Sequence, residues 1–168
     1  MDIQICTETT SDVASVHQLT RLAFLNAPHT DHTEQFIVDA LRNAGVLAVS
    51  LVAKARGQNI GHVAVSPVTL SSGTPGWFGL GPISVLPEYQ QRGVGSRLMK
   101  RAIADLEAMG AAGCVVLGDP GYYGRFGFKV IDGLTFPGVP VEYFQALTFT
   151  DNIPRAVVSY HEAFSVQR

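Results

Sequence analysis

The heptapeptide Gln90-Gln91-Arg92-Gly93-Val94-Gly95-Ser96 is a short glycine turn between two strongly patterned segments. An apolar, strand-like run over residues 77–86 leads into it, and an amphipathic helical pattern over residues 94–109 leads out. This order of elements is a common anion site, because the first backbone N–H groups of a helix have no partner within the helix and point outward. Glycine leaves room for a phosphate to approach the backbone. The stretch therefore predicts a site for a phosphorylated ligand.

The composition is that of an ordinary folded domain with no disorder signature. The chain has 168 residues, of which 46% are hydrophobic and 15% are charged, and its net charge is −2. A slightly negative chain is a poor nonspecific nucleic-acid binder, because such binding needs a basic surface. No apolar run approaches the roughly 20 residues of a membrane span, and the first residues lack a signal-peptide pattern. We expect a cytoplasmic protein with neither a nucleic-acid nor a membrane partner.

The cysteine and histidine pattern does not indicate a metal site. Cys6 and Cys114 each lie in a strand-like apolar segment, where a buried free thiol is the usual state, and their separation gives no zinc pattern. His29-x-x-His32 with Asp31 fits a polar helix start better than a set of metal ligands. No metal is expected.

The predicted elements follow an irregular order along the chain. Ser11 or Asp12 is expected to cap the first helix, and the second is expected to begin at Asp31, with Glu34 as a capping-box-like partner, and to end at Gly45. Asp119-Pro120 predicts the start of a short helix. Periodicity predicts strands at 3–6, 46–55, 60–70, 77–85, 114–117 and 141–150, and a further strand that begins at 129–130. It predicts helices at 11–24, 31–45 and 94–109, a loop at 133–140, and either element at 156–164. The order indicates a mixed α/β domain with an antiparallel meander.

The helix that follows the glycine turn carries its charges in an unfavourable order. Its apolar stripe is expected to be Val94, Leu98, Ala102, Ile103, Leu106 and Met109. Basic Arg97, Lys100 and Arg101 come early and acidic Asp105 and Glu107 come late, opposite to what the helix dipole prefers. A bound polyanion would compensate for this order, and a solvated helix face explains the same residues equally simply.

Two common phosphate-binding patterns do not fit. Leu98 stands where the dinucleotide fingerprint needs its third glycine, and the Gly-Lys-Ser/Thr of the nucleotide P-loop does not occur.

The turn and its surroundings instead resemble the GNAT superfamily of acetyl-CoA-dependent N-acetyltransferases. Its pyrophosphate motif is Gln/Arg-x-x-Gly-x-Gly/Ala after a bulged strand, which Gln90-x-x-Gly93-x-Gly95 matches. Tyr123-x-x-x-Gly127-Phe128 matches a second motif that members often carry after the next strand, and residues 117–128 look like those of a bacterial subgroup of acetyltransferases. Many members place an asparagine before the tyrosine on a longer turn. Here Asp119 stands in a shortened turn, so the role of that asparagine is not carried over.

The resemblance implies a fold and an activity. The implied fold is a single α/β domain, mixed and α+β-like, over residues 1–168 with its motif core at 77–130. It has about four helices around a mostly antiparallel, twisted sheet that is splayed at the cofactor site. The implied activity is transfer of an acetyl group from acetyl-CoA to a primary amine of a small molecule or protein, by direct attack in a ternary complex. A homodimer is a further family-level expectation. A noncatalytic acyl-CoA-binding or regulatory module on the same fold is the alternative, and an unrelated phosphate or nucleotide binder is the third hypothesis.

The resemblance also assigns the cosubstrate site. The backbone at Ile83 to Val85 would pair with the pantetheine arm, with the Val85 N–H as the candidate that polarises the thioester. The amides from Gln91 to Ser96 would receive the pyrophosphate, with Arg92 and Arg97 adding charge. The full set of expected cofactor-binding residues is Ile83, Ser84, Val85, Gln90, Gln91, Arg92, Gly93, Val94, Gly95, Ser96, Arg97 and Tyr122.

The resemblance implies one catalytic acid and a proton acceptor for the amine. Tyr123 is the candidate general acid for the departing CoA thiolate, and a packing role is its alternative. Glu34 is the candidate catalytic or acceptor-site residue, with a simple helix-capping role as its alternative. Other residues considered for the base are His32, His62 and Glu88, and ordered water is a further option. The first two helices, their loop and the C-terminal segment are expected to select the amine.

Overall fold

The fold is a six-stranded sheet with helices on both faces and a small second sheet. The computed structural model describes residues 2–28 and 30–166. Over these residues the strands are β1 (Ile3–Thr7), β2 (Val49–Ala55), β3 (Gln58–Pro67), β4 (Thr69–Leu70), β5 (Trp77–Val85), β6 (Gly113–Leu117), β7 (Leu134–Thr135), β8 (Phe144–Thr148) and β9 (Ala156–Ser159). The α-helices are α1 (Val13–Phe24), α2 (Glu34–Asn43), α3 (Val94–Ala108) and α4 (Pro120–Tyr123). The mixed α/β class with four helices is confirmed.

The main sheet divides between β5 and β6. Its order is β1-β2-β3-β5-β6-β8, and β5–β6 is the parallel pair in an otherwise antiparallel sheet. The two strands pair only where Trp77, Phe78 and Gly79 face Gly113, Cys114 and Val115. Beyond these residues β5 has β3 as its strand partner on one side alone. The sheet is therefore splayed at the position that the sequence predicts.

A bulge on β5 marks the start of the splayed part. Val63 of β3 faces Ile83, whereas Val65 faces Leu80, so Ala64 alone lies opposite both Gly81 and Pro82. A bulge of this kind bends the strand and increases its local twist. The residues of β5 at and beyond the bulge have no pairing with β6.

Alternating side chains on β2 separate the two helical layers. Leu51 and Ala53 belong to the main core, which also contains the buried stripe of α3. Val52 faces the opposite side and packs with Val16 of α1 and Val38 of α2. The α3 helix therefore packs on the face opposite α1 and α2. Because its stripe is buried against the sheet, the glycine turn at its N-terminus is anchored there.

The α3 stripe differs in one respect from the prediction. Met109 lies just past the last helical residue, Ala108, and is 52% exposed. Met99 is fully buried instead, because it lies on the inward face one residue after Leu98.

The start of α2 also differs from the prediction. The helix begins at Glu34 with Thr33 as its N-cap, not at Asp31. His32 adopts a left-handed backbone conformation with φ of +58°, which interrupts any helix running through it. The Glu34 carboxylate accepts a hydrogen bond of 2.6 Å from the Thr30 hydroxyl, so its partner is not the one expected of a capping box at Asp31.

The C-terminal third departs most from the predicted elements. Residues 129–130 form only a single bridge, between Lys129 and Ala146, and the predicted loop at 133–140 contains β7. The predicted strand at 141–150 begins as a 3-10 turn (Val141–Tyr143) and becomes β8 only at Phe144. Residues 156–164 contain β9 followed by a 3-10 turn. The small sheet, of order β4-β9-β7, contributes with Trp77 to a second apolar cluster.

None of the helices within the described residues is both long and apolar enough to cross a bilayer. The homodimer and the cytoplasmic location stay predictions.

A buried carboxylate joins the start of α1 to the β2–β3 hairpin. The turn into α1 begins at Thr9, whose N–H and hydroxyl both donate to the Asp12 carboxylate at 2.9 and 3.0 Å. The same carboxylate accepts from Lys54 Nζ at 2.9 Å and Asn59 Nδ2 at 3.0 Å. These hydrogen bonds, with those from Asn59 and Lys54 the strongest, hold the pKa of Asp12 well below its usual range. Asp12 therefore fixes where α1 lies relative to the sheet, rather than simply capping a helix.

Replacing Asp12 by asparagine is expected to lower the melting temperature by about 3–10 °C at pH 7, because charge-assisted hydrogen bonds are lost. A carboxylate with a depressed folded pKa stabilises the protein above its unfolded pKa, near ~4, and loses this effect as the pH falls toward the folded value. The difference between wild type and Asp12→Asn should therefore shrink below about pH 4. Melting curves between acidic and neutral pH test this.

The matched control is Asp132→Asn, because the Asp132 side chain is 98% exposed. This variant should melt like the wild type. A pH-independent difference between Asp12→Asn and wild type would contradict the role assigned to the Asp12 charge.

Candidate functional site

A cavity of about 580 Å³ opens where β5 ends. Its walls come from the end of β5, the glycine turn, the first turn of α3, and α4 with the 3-10 turn that follows it. The lining residues are Ile83, Val85, Tyr89, Gln90, Gln91, Gly93, Gly95, Ser96, Tyr122 and Arg125.

The glycine turn presents unpaired backbone donors at this cavity. Gln91 and Gly93 both have left-handed backbones, with φ of +62° and +82°, and Gly93 is the N-cap of α3. The first helical backbone bond runs from the Arg97 N–H to the Gly93 carbonyl at 3.1 Å. The N–H groups that precede Arg97 in the first turn therefore have no acceptor within the helix, and the helix dipole adds positive potential there. The turn is thus built to receive an anion through its backbone.

Gln90 has a structural role at the same place. Its side-chain amide donates to the Val85 carbonyl at 2.9 Å. This hydrogen bond joins the beginning of the turn to the end of β5. The Gln90 side chain therefore holds the turn in position in this structure.

The outer edge of β5 carries free backbone groups next to the turn. The Leu86 N–H donates to the Ile60 carbonyl at 2.9 Å, so these two residues form a hydrogen-bonded pair across β5 and β3. Because neighbouring residues of a strand point their N–H groups in opposite directions, Ile83 and Val85 direct theirs away from β3. No described strand pairs with this edge, since β6 pairs only with Trp77 to Gly79. The Ile83 N–H and carbonyl and the Val85 N–H are therefore available to an extended ligand.

Ser84 of β5 and His62 of β3 lie on the face of the sheet that α1 and α2 cover. They face each other across the strands and are both buried, and the Ser84 hydroxyl and His62 Nδ1 have no hydrogen-bond partner among the described residues. His62 Nε2 lies 2.8 Å from the Ser50 hydroxyl. Burial, reinforced by the positive charge of Arg42, lowers the pKa of His62 to about 3. His62 is a neutral, buried residue at physiological pH, which supports the structural interpretation of it.

Two adjacent tyrosines lie on α4, and Tyr122 is the one that lines the cavity. Asp119 caps this short helix by accepting from the Gly121 N–H at 2.9 Å, as the sequence predicts. The Tyr122 hydroxyl lies against Gly95, where an added Cβ would stand only 2.8 Å from it. The Tyr122 ring contacts that of Tyr123 edge to face, with centroids 5.0 Å apart.

Tyr123 contacts the Tyr122 ring and is not one of the residues that line this cavity. Its ring packs on Gly118, where a Cβ would lie 2.7 Å from Cε2, and edge to face on Phe128. Burial raises the pKa of Tyr123 to about 12. The phenol is therefore protonated at neutral pH and is in the state that a general acid needs.

Arg125 is a site residue that the sequence reasoning missed. Its Nη2 donates to the Ser96 hydroxyl at 2.9 Å, and its guanidinium lies 5.3 Å from the centroid of the Tyr122 ring. Its position within the Tyr123-x-x-x-Gly127-Phe128 motif could have indicated it, but the motif leaves that position unspecified. Tyr89 also lines the cavity without having been expected there.

The other expected site residues lie outside the cavity wall. Arg92 and Arg97 are exposed and do not line it, and the Val94 side chain is buried in the core, which leaves its backbone. Glu34 lies at the start of α2, bonded to Thr30, and does not line the cavity. Their assigned roles stay predictions.

No group of three or more histidine, cysteine, aspartate or glutamate side chains within the described residues is arranged to hold a metal ion.

The splayed sheet, the glycine turn at the head of α3 and the tyrosine-bearing α4 together define the GNAT fold class. The model of the acetyltransferase (GNAT) domain matches residues 47–130. The N-acetyltransferase YhbS of Escherichia coli K12 is 34% identical over 151 residues, covering 85% of this chain and 90% of the relative. The chain belongs to the GNAT acetyltransferase family.

Two solved structures show the same fold along nearly the whole chain. A GNAT family acetyltransferase from Brucella melitensis in complex with acetyl-CoA is 44% identical, with a TM-score of 0.87 over 97% of this chain and 98% of its own. YhbS from Escherichia coli in complex with CoA is 32% identical, with a TM-score of 0.89 over 98% of this chain and 92% of its own. The prediction of an acetyltransferase that uses acetyl-CoA is confirmed at the level of the family.

The contact between Gly95 and Tyr122 can be tested by a double-mutant cycle. Alanine stabilises a helix by up to ~1 kcal/mol relative to glycine. Gly95→Ala should show little of this stabilisation, because the new methyl group would displace the Tyr122 hydroxyl. In a Tyr122→Phe background the space is free, and the same substitution should raise the melting temperature. Thermal unfolding of the four proteins measures the coupling.

Gly124→Ala serves as the control, because a Cβ at Gly124 meets no atom within 4 Å and its backbone is right-handed. Its effect should be the same with and without the Tyr122 hydroxyl. Equal effects of Gly95→Ala in both backgrounds would contradict the contact.

Proposed function

We propose that this protein transfers the acetyl group of acetyl-CoA to a primary amine of a small molecule or protein, by direct attack within a ternary complex. The open edge of β5, which runs from the glycine turn into the split between β5 and β6, carries the proposal. An extended chain with amide groups can add to such an edge as a further strand would. The pantetheine arm of acetyl-CoA has this character, and its pyrophosphate would lie on the amides of the turn, from Gln91 to Ser96.

The direction of the arm decides which backbone group meets the thioester. With the pyrophosphate at the turn, the acetyl end lies deeper along β5. Ile83 is two residues farther from the turn than Val85, so its N–H is the better placed donor for the thioester carbonyl. The Val85 N–H then serves the arm. This assignment differs from the expectation that Val85 polarises the thioester, and it follows from the direction in which β5 enters the split.

The cysteines favour direct transfer over an acetyl-enzyme intermediate. A covalent route needs an activated nucleophile. Cys114 is fully buried, and burial raises the pKa of its thiol to about 12, so it is protonated and inert. Cys6 lies on β1, which is separated from β5 by β2 and β3.

The proton chemistry divides between two groups. Tyr123 would donate a hydrogen bond to the thiolate of departing CoA, in its neutral form. The incoming ammonium must also lose a proton, and Glu34 at the start of α2 is the carboxylate we propose for this, directly or through water. His62 is unsuited to the role, because its lowered pKa makes it a weak base.

The proposed reaction can be tested by calorimetry and thiol release. The wild-type protein should bind acetyl-CoA in preference to ATP and NAD, and it should release a free thiol when the right amine is supplied. The screen covers polyamines, aminoglycosides, amino acids and peptides with free N-termini. Initial rates with both substrates varied should give intersecting lines, as a ternary complex requires. Parallel lines would contradict direct attack.

Two failures of this test have different meanings. Binding of CoA without thiol release from any amine would favour a noncatalytic acyl-CoA-binding module. Absence of CoA binding would exclude both hypotheses.

Tyr123→Phe is expected to lower kcat by about tenfold or more, because the departing thiolate loses its hydrogen-bond donor. The affinity for acetyl-CoA should be nearly unchanged, since Tyr123 does not line the cavity. Steady-state kinetics with the amine found in the screen, together with calorimetry, measures both quantities.

Tyr143→Phe removes the same hydroxyl group from a 43% exposed residue outside the site and should leave both quantities unchanged. Full turnover in Tyr123→Phe would remove Tyr123 from the role of general acid.

A further inference from the structure

We propose that Arg125 is the side-chain cation that binds the pyrophosphate of acetyl-CoA, and that it exchanges its hydrogen bond to Ser96 for one to the phosphate. The inference rests on the proposed function, because it takes CoA as the occupant of the cavity. It assigns to Arg125, from the motif after β6, the electrostatic role that the sequence alone suggests for Arg92 and Arg97.

The position of Arg125 is the first argument. Among the described residues that line the cavity, Arg125 is the one with a cationic side chain. It reaches the same turn of α3 whose N–H groups are unpaired, because its Nη2 lies 2.9 Å from the Ser96 hydroxyl. The Arg125 guanidinium is thus hydrogen-bonded to the first turn of α3, whereas Arg92 and Arg97 do not line the cavity.

The absence of a countercharge is the second argument. Arg42, Arg101 and Arg155 each lie within 4 Å of a carboxylate, from Glu8, Asp105 and Asp132 respectively. Among the described arginines without such a partner, which include Arg92 and Arg97, Arg125 is the one that lines the cavity. No carboxylate within the described residues pairs with Arg125. A cation without a partner beside a helix N-terminus meets like potential from the helix dipole, so the arrangement is unfavourable until an anion arrives. A pyrophosphate would neutralise both contributions at once.

The orientation of the guanidinium is the third argument. It lies 5.3 Å from the Tyr122 ring centroid and 5.4 Å from that of Phe126, within the range of cation–π attraction. The Tyr122 ring is itself held against Gly95 and Tyr123. The planar group is therefore held in place before the ligand binds, and its N–H groups outside the Ser96 bond have no acceptor among the described residues. A guanidinium in this state can bind two phosphate oxygens in its fork geometry.

Calorimetry with CoA and with dephospho-CoA, which keeps the pyrophosphate and lacks the 3′-phosphate, tests the proposal. Arg125→Gln should weaken the binding of both ligands by the same factor, about 10- to 100-fold, as expected for a lost charge-assisted hydrogen bond. Arg125→Lys should recover part of the loss, because it keeps the charge without the fork. The loss in Arg125→Gln should exceed the losses in Arg92→Gln and Arg97→Gln.

Arg101→Gln is the matched control, because Arg101 is a surface arginine on α3 that pairs with Asp105 and does not line the cavity. It should bind both ligands like the wild type. The melting temperature of each variant without ligand is measured in parallel. If Arg125→Gln does not fold, the comparison is made with Arg125→Lys, which should still bind both ligands more weakly than the wild type, by equal factors.

Three results would overturn the proposal. One is wild-type affinity in the Arg125 variants. Another is a loss confined to CoA, which would place Arg125 on the 3′-phosphate instead. The third is a larger loss in Arg92→Gln or Arg97→Gln. A wild-type protein that binds neither ligand would contradict the proposed function itself, so the two failures are distinguishable.

Discussion

The short pairing between β5 and β6 is the constraint on which the rest of the site depends. The strands are bonded over Trp77 to Gly79 and then separate, while β3 keeps the inner edge of β5 paired through the bulge. An unpaired strand edge is normally covered or blunted, because its backbone groups would otherwise pair with another chain. Here the edge ends at the glycine turn, so a ligand with an amide-bearing arm and a phosphorylated end can satisfy both features. The bulge and the split explain why one side of β5 remains free.

Local charge, rather than net charge, makes anion binding compatible with this chain. The protein as a whole carries a charge of −2. At the cavity, however, positive potential comes from the first turn of α3 and from Arg125, and no carboxylate lines the wall within the described residues. The backbone donors are fixed by the α3 stripe buried against the sheet, and Arg125 is held by aromatic rings. Both groups are preorganised, which lowers the entropic cost of binding a ligand.

Much of the α3 region follows from the sequence because its signals are local. The start of α3 after the glycine turn, most of its apolar stripe and the Asp119 cap depend on residues close in the chain, and they lie where the pattern predicts them. Predictions were wrong where distant contacts decide. The strand expected to begin at residues 129–130 is a single bridge. In the small sheet, each pair of strands is bonded over only two residues, which is too short to leave a periodic pattern. The early start predicted for α2 failed because the left-handed backbone of His32 leaves no clear trace in the sequence.

The sequence by itself determined the family and the strand–turn–helix unit around the glycine turn, because glycine and tyrosine spacing over a short stretch of chain specifies them. The tertiary structure decided which groups face the ligand. Arg125 reaches Ser96 across 29 positions of the chain, and the direction of the Ile83 N–H follows from which residues of β3 and β5 pair. The sequence shows His62 only as a polar residue on a strand. The packing of α1 and α2 over that face of the sheet is what buries it completely. Spacing along the chain encodes local backbone geometry, whereas burial and the meeting of distant side chains exist only once the layers have packed.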